Sequence, residues 1–202
     1  MYKKNYGNIP NKDKIHYYLI EDNDNLGAWV SHSKLIGKTA RAIAKDINLD
    51  PDIAYAVGCL HDIGKKNNKK GLAHTIEGFH ILRNETYFFP AKIAISHSFI
   101  IKNIESYVGD KNIEKNQIKT IKNLLKSYEY NVYDKLIQVL DNSILNSYIG
   151  IDEKQKYLKE KYGNIPFEKE RLQRLKDYER EIEKKLGRSV GSYVKNQEIN
   201  KK

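Results

Sequence analysis

The sequence predicts an all-α fold, a compact single-domain bundle of helices. Apolar residues recur at three- and four-residue spacing over most of the chain, which is the period of an amphipathic helix. No stretch keeps the strict alternation that a half-buried strand would show. The length of 202 residues suits one domain that can bury a core without disulfides, and Cys59 is the only cysteine. We therefore expect one helical domain with Cys59 as a small buried core residue.

Polar stretches, capping residues and prolines indicate where the helices of the first half begin and end. Residues 1–24 are polar and irregular, and we expect an N-terminal arm with a short helix near 15–20. A helix is predicted from 25 to about 47, and Asp50-Pro51 combines a capping residue with proline at the first helical position. The helix that this pair opens should run to about Ile63. A third helix is predicted over 74–84, and Pro90 should open a fourth.

The second half continues with helices. We predict them over 114–128, over 132–148 with an end at Gly150, and then over 152–162 and 167–186, where Gly163 and Pro166 separate the last two. Residues 187–202 are polar and are expected to form a flexible tail. The predicted organisation is an arm at 1–24, a core at 25–150, C-terminal helices of the same domain at 151–186, and the tail.

The composition limits the range of partners. The net charge of +10 comes mostly from lysine spread along the chain, and arginine, which reads bases and phosphates in a bidentate manner, is scarce. Nucleic acid is therefore an improbable partner, while anionic small molecules suit the charge. No segment approaches the ~18 apolar residues of a membrane span, and the N-terminus does not resemble a signal peptide. We expect a cytoplasmic protein that does not bind a membrane.

The adjacent pair His61-Asp62, in the stretch GCLHDIGK, is the most informative feature of the sequence. Neighbouring helix residues point about 100° apart, so the two side chains can converge only where a helix ends. Gly64 is well placed to end it. An imidazole and a carboxylate that converge at a helix end are typical metal ligands.

Other polar residues stand where a helix should bury its apolar face. His32, His97 and Asp141 each have apolar neighbours at three- and four-residue spacing, and His74 stands at a helix start. A single such histidine is more often a core residue than a ligand. A buried, unpaired carboxylate costs several kcal/mol, however, and no lysine or arginine on an apolar face is evident to pair with Asp141. Together with His61 and Asp62 these residues could hold one or two divalent ions of Fe, Mn, Zn, Ni or Mg.

These residues carry a resemblance to the HD-domain superfamily of metal-dependent phosphohydrolases. The similar stretches are HSKLIGKTARAIAKDINLDPDIAYAVGCLHDIGK, HTIEGFHIL, KIAISHS and KLIQVLDNSI, which lie between about residues 25 and 150. The resemblance implies an HD-type bundle with a first metal held by His32, His61, Asp62 and Asp141. Members with two metals have two further histidines, where His74 and His97 stand, and Asp62 would bridge the ions. The arrangement is similar to that of bacterial HD hydrolases that cleave diadenosine tetraphosphate.

The resemblance implies a hydrolase of phosphoester or phosphoanhydride bonds that acts on a small, nucleotide-like phosphorylated substrate. Asp62 and Lys65 are the expected catalytic residues, with Lys65 either contacting a phosphate oxygen or remaining a solvated loop lysine. Lys66, Lys69 and Lys70 are expected to be plain surface charges. Two alternatives stay open: a diiron oxygenase of the same fold, and a nucleotide-binding regulatory module without catalysis. The amphipathic C-terminal helices could pair in a homodimer.

Overall fold

The computed structural model describes residues 1–199, and the predicted all-α bundle is confirmed. Ten α-helices account for most of this range, with one short antiparallel pair of strands near the N-terminus. The elements are β1 (Tyr2–Lys3), β2 (Gly7–Asn8), α1 (Lys12–His16), α2 (Ala28–Asp46), α3 (Pro51–Leu60), α4 (Ala73–Asn84), α5 (Phe88–Ser96), α6 (Lys115–Ser127), α7 (Val132–Asp141), α8 (Ile151–Tyr162), α9 (Glu168–Leu186) and α10 (Val190–Ile199). No helix within residues 1–199 combines the length and the apolar character that crossing a membrane requires.

Helices α2 and α3 form the centre of the bundle and cross at two glycines. A Cβ on Gly58 would lie 2.7 Å from the Cα of Gly37, and a Cβ on Gly37 would lie 2.3 Å from the sulfur of Cys59. Only glycine permits this approach of the two backbones. As predicted, Asp50 caps α3 by accepting hydrogen bonds from the following backbone amides, and Cys59 is buried.

The N-terminal arm is part of the packed domain. Ile9, Ile15, Tyr18 and Leu19 are buried in the main core, and a π-helical turn follows α1 at Tyr17–Glu21. Lys66 is only 6 % exposed and donates hydrogen bonds to the backbone carbonyl and carboxylate of Asp22. The expectation that Lys66 is a plain surface charge is therefore wrong, because its ammonium joins the loop after α3 to the arm.

Two predicted helix ends lie too far along the chain. Helix α3 ends at Leu60 instead of Ile63, and a 3-10 helix follows at Ile63–Asn67. Helix α7 ends at Asp141 instead of near 148. After Asp141 the backbone turns, and the carbonyl of Ser143 accepts hydrogen bonds from the amides of Ile149 and Gly150. These local hydrogen bonds replace helical ones, which the apolar spacing could not reveal.

The predicted flexible tail is wrong for residues 190–199. They form α10, which buries Val190, Tyr193 and Val194 against the core and packs on α2. The hydroxyl of Tyr193 donates to the carboxylate of Asp46 at the end of α2. The spacing of these three apolar residues is helical, but the polar residues around them obscured it. Residues 200–202 of the predicted tail lie outside the described residues.

Candidate metal centre

The structure brings all six predicted ligands to one place, chiefly at helix ends. His32 lies in the second turn of α2, and His61 and Asp62 lie in the turn directly after α3. The remaining three sit at the start of α4, directly after α5 and at the end of α7: His74, His97 and Asp141. Because side chains at helix ends are not confined to one helical face, residues from five segments can converge.

All four histidines use the same nitrogen to contact the backbone. Each Nδ1 lies within hydrogen-bonding distance of a backbone carbonyl oxygen, which can only accept, so each Nδ1 carries the proton. In the neutral form of an imidazole held this way, the lone pair is on Nε2. The Nδ1–O distances are 2.9 Å for His32 to Leu145, 2.8 Å for His61 to Gly58, 2.5 Å for His74 to Gly71 and 3.1 Å for His97 to Ile93.

The first group of candidate ligands is formed by His32, His61 and Asp62, whose ligand atoms all lie within 4.8 Å of one another. Asp141 adjoins this group, with its Oδ1 3.1 Å from Nε2 of His32 and 3.8 Å from Nε2 of His61. The Nε2 atom of His61 is buried and has no hydrogen-bond partner among residues 1–199. A buried polar atom without a partner is costly, so a ligand is expected there.

The second group consists of Asp62, His74 and His97. The Oδ1 atom of Asp62 lies 3.2 Å from Nε2 of His74 and 3.6 Å from Nε2 of His97. The two Nε2 atoms are only 3.3 Å apart. Two lone pairs at this distance repel each other unless a cation lies near both. Asp62 therefore belongs to both groups, which is the arrangement expected of a carboxylate between two ions.

Burial and nearby charge set the protonation states that metal binding requires. Burial lowers the pKa of the His61 imidazole to about 4 and also lowers that of His74, so both are neutral near pH 7. Burial by itself would raise the pKa of the Asp62 carboxyl, but the Lys65 ammonium and other neighbours outweigh it, and the pKa falls well below its usual range. Neutral imidazoles and an ionised carboxylate are the states in which these groups bind metals.

Gly64 has a different role from the one expected. It lies inside the 3-10 helix, and the preceding α-helix has already ended at Leu60, so Gly64 does not terminate it. A Cβ at this position would lie 2.0 Å from the backbone carbonyl oxygen of His74 and 2.7 Å from the amide nitrogen of Gly78. The missing side chain lets α4 approach the turn that carries His61 and Asp62, and so places His74 beside Asp62.

The residues fit one or two divalent ions. Four imidazole Nε2 atoms and two carboxylates form a mixed nitrogen and oxygen donor set, which suits iron, manganese, zinc or nickel. A metal-binding histidine usually donates a hydrogen bond from the ring nitrogen that does not bind the metal. Here the backbone carbonyls accept these hydrogen bonds. One ion would be held by His32, His61, Asp62 and Asp141, and a second by Asp62, His74 and His97.

A cavity of about 550 Å³ opens beside these residues. His32 and Asp141 form part of its wall, together with Lys65, whose Nζ atom also contacts the Asp62 carboxylate. Burial would lower the pKa of Lys65, but the Asp62 charge outweighs this and raises it, so Lys65 stays protonated. Several aromatic side chains complete the wall: Trp29, Tyr107, Tyr157 and Tyr162. The volume and mixed lining are typical of small-molecule sites.

Two buried cations in this wall overturn the expectation that no basic residue lies near Asp141. Lys154 on α8 is 8 % exposed and Arg171 on α9 is 5 % exposed, and the negative charge of Asp141 acts on both. The signal was present in the sequence. Lys154 follows Ile151 by three residues, and Arg171 precedes Leu175 by four, so each occupies the apolar side of its helix.

Comparisons with known proteins identify a family for this chain. The chain matches the HD domain family over residues 29–143, more than half of its length. It is also similar to proteins named ribonuclease Y from Lactobacillus helveticus and Lactobacillus acidophilus, each 42 % identical over 52 residues. That similarity covers 26 % of this chain and 9 % of each relative, so the chain spans less than a tenth of their length. No solved structure matches it significantly. On the match over residues 29–143, the chain belongs to the HD domain family.

Proposed function

We propose that this chain is a metal-dependent hydrolase that cleaves a phosphoester or phosphoanhydride bond in a nucleotide-like substrate. HD domains are generally metal-dependent phosphohydrolases. The observation that carries the proposal for this chain is the position of Asp62, which is shared by two groups of ligand atoms at the edge of a cavity lined by cations. A site built this way suits a substrate whose negative charge is concentrated on phosphoryl oxygens.

Each group of residues has a distinct part in the proposed reaction. Divalent ions at the two groups would supply Lewis-acid stabilisation of the charge that develops on phosphoryl oxygens. The four backbone carbonyls keep each Nδ1 protonated and aim each Nε2 inward, so the ligand set is already arranged before binding. Lys65, one-third exposed and protonated, can donate from its ammonium to a phosphoryl oxygen in the cavity.

The aromatic lining supports the nucleotide-like part of the proposal. Tyr157 and Tyr162 on α8 and Trp29 on α2 face the same cavity as His32 and Asp141. Aromatic side chains provide flat apolar surfaces on which a base can stack. Diadenosine tetraphosphate, with a base at each end of a phosphate chain, is therefore among the substrates that we propose to test.

The test is a substrate panel with the purified full-length chain and added Mn²⁺ or Fe²⁺. The panel holds nucleoside mono-, di- and triphosphates, diadenosine tetraphosphate, a phosphodiester and a short RNA, with phosphate or product release as the readout. The His61→Ala, Asp62→Ala double variant should lose the activity. His80→Ala is the matched control, because His80 is exposed and belongs to neither group of candidate ligands.

The same experiment separates the alternatives. Full activity in the double variant would refute the proposed role of the cluster. An iron-dependent visible absorption band that changes with oxygen and an organic substrate, without phosphate release, would instead favour a diiron oxygenase. Nucleotide binding without turnover in the presence of each metal would favour a regulatory module.

A further inference from the structure

Two lysine side chains and one arginine side chain are buried within residues 1–199, and two of these three lack an acidic partner. Lys66 is paired with Asp22, as described above. Lys154 and Arg171 have no carboxylate oxygen within 4.0 Å in the described part of the chain. Both residues line the cavity beside the metal centre. Taking an ion out of water costs several kcal/mol, and a nearby anion normally offsets this cost.

Neutral groups hold both cations in position without neutralising them. The Nζ atom of Lys154 donates to the backbone carbonyl of Ile144 at 2.6 Å. The Arg171 guanidinium donates from Nη2 to the side-chain oxygen of Asn142 at 2.6 Å and from Nε to that of Gln155 at 3.2 Å. Its Nη1 atom is buried and has no acceptor in the part of the chain that the structure describes. Both side chains therefore have N–H donors to spare beside the cavity.

The acids nearest to these cations are committed elsewhere. Asp141 attracts both electrostatically, but its Oδ1 faces the Nε2 atoms of His32 and His61. Asp62 contacts Lys65. Burial lowers the pKa of Lys154, and lowers that of Arg171 to about 10, so Arg171 is still charged at neutral pH. The wall of the cavity therefore carries positive charge that no carboxylate within residues 1–199 neutralises by contact.

The position of these cations indicates what they would bind. Arg171 donates to Asn142, the residue after Asp141, and Lys154 donates to Ile144. One short segment, 141–144, thus joins a candidate metal ligand to the anchors of both cations. A ligand that reaches the metal centre and this pair together would carry at least two anionic groups. Linked phosphates supply two such groups in one molecule, whereas a monoester offers one phosphate only.

We propose that Lys154 and Arg171 form a subsite for a second phosphate group, so that this chain acts on substrates with two or more linked phosphates. The kinetic part of this inference rests on the proposed hydrolase function, whereas anion binding by the subsite does not. Both residues lie outside the range 29–143 that matches the HD domain family, so the subsite belongs to the C-terminal helices of this chain.

Anion binding is tested by calorimetry on the full-length chain as purified. The probes are methylenediphosphonate, which resembles two linked phosphates and resists hydrolysis, and methylphosphonate, which carries one such group. Loss of a charge-assisted hydrogen bond should weaken methylenediphosphonate binding about 10- to 100-fold in Lys154→Met and Arg171→Gln. Methylphosphonate binding should change less than threefold. Lys154→Arg, which keeps the charge, should retain most of the affinity.

The control is Lys156→Met, on the same helix but with a side chain that is 66 % exposed. Wild-type affinity for methylenediphosphonate in both Lys154→Met and Arg171→Gln, or an equal loss in the control, would overturn the subsite. If either variant fails to fold, as judged by its thermal transition, the other together with Lys154→Arg still decides the question.

Steady-state kinetics separates failure of the subsite from failure of the proposed function. For a nucleoside diphosphate, Lys154→Met should raise KM about 10- to 100-fold and alter kcat less. If the wild type is active and Lys154→Met has an unchanged KM, the proposed subsite is wrong and the proposed hydrolase function is retained. An inactive wild type whose methylenediphosphonate binding still depends on Lys154 would support the subsite and sink the hydrolase.

Discussion

The metal centre and the cationic wall of the cavity are two polar regions of one bundle, and they are built differently. In the metal centre, three of the four histidines bond to a carbonyl three or four residues earlier in the chain, so local structure orients them. In the wall, Lys154 and Arg171 are anchored by residues from another element. Local anchoring is set by residues close in sequence, whereas anchoring between elements depends on how the helices pack.

The two regions also differ in charge. The metal centre presents imidazole nitrogens and carboxylates that can bind cations, and the wall presents cations that can bind an anion. In both regions, neighbouring groups do not fully offset the free energy that burying these polar side chains costs. Each should therefore contribute little to folding stability and much to ligand binding, and the following experiments test that comparison.

The largest effect is expected for Asp62, which both ligand groups share. Asp62→Ala should lose both metal ions and reduce activity more than about 100-fold, because an essential ligand of each ion is gone. His74→Ala belongs to the second group only and should retain one ion. Elemental analysis of metal per chain checks both, with His80→Ala as the control. Equal metal content in Asp62→Ala and His74→Ala would contradict the shared role of Asp62.

The next largest effect is a loss of stability on substitution of Gly64, the glycine that lets α4 approach the metal centre. Gly64→Ala should lower the free energy of unfolding by about 3 kcal/mol, because the new Cβ would overlap the His74 carbonyl. Gly187→Ala is the matched control at the end of α9, where φ is +68° and no atom lies within 4 Å of the added Cβ. Backbone strain alone should cost about 1 kcal/mol there. Urea unfolding measures both, and equal losses would mean that steric overlap at Gly64 is unimportant.

A smaller effect of opposite sign is expected in the cationic wall. Lys154→Met removes a buried charge that has no carboxylate oxygen within 4.0 Å among residues 1–199, and burying an ammonium without a paired anion costs several kcal/mol. We expect a change between zero and a gain of about 2 kcal/mol in the free energy of unfolding, measured by urea unfolding at pH 7. A loss of more than about 2 kcal/mol would assign Lys154 a structural role instead.

The smallest effect is expected for the chemical modification of Cys59, which is buried where α2 crosses α3. Burial raises the pKa of this thiol to about 12, and the sulfur is closely packed where α2 crosses α3. Iodoacetamide at pH 8 should therefore leave the folded chain unmodified and label it fully in 8 M urea, as mass spectrometry would show. Rapid labelling of the folded chain would mean that the core beneath the metal centre opens readily.

The candidate ligands could be named from the sequence, whereas the cations of the cavity wall were not named. His32, His97 and Asp141 are polar residues on apolar helix faces, His61 and Asp62 stand where a helix ends, and the resemblance to HD proteins implied a role for His74. Lys154 and Arg171 are anomalies of the same kind, but their helices are so polar that one more charge did not stand out. For the same reason α10 was not predicted, because its three buried apolar residues lie among polar ones.

The sequence by itself determined that the chain forms a helical bundle and which side chains are candidate ligands, because helical periodicity and local capping are written in neighbouring residues. Only the tertiary structure decided that Gly64 serves close packing, that Asp62 lies between two groups of ligand atoms, and that two cations from α8 and α9 face the same cavity. These facts depend on distances between segments far apart in the chain, and such distances are set by how the helices pack.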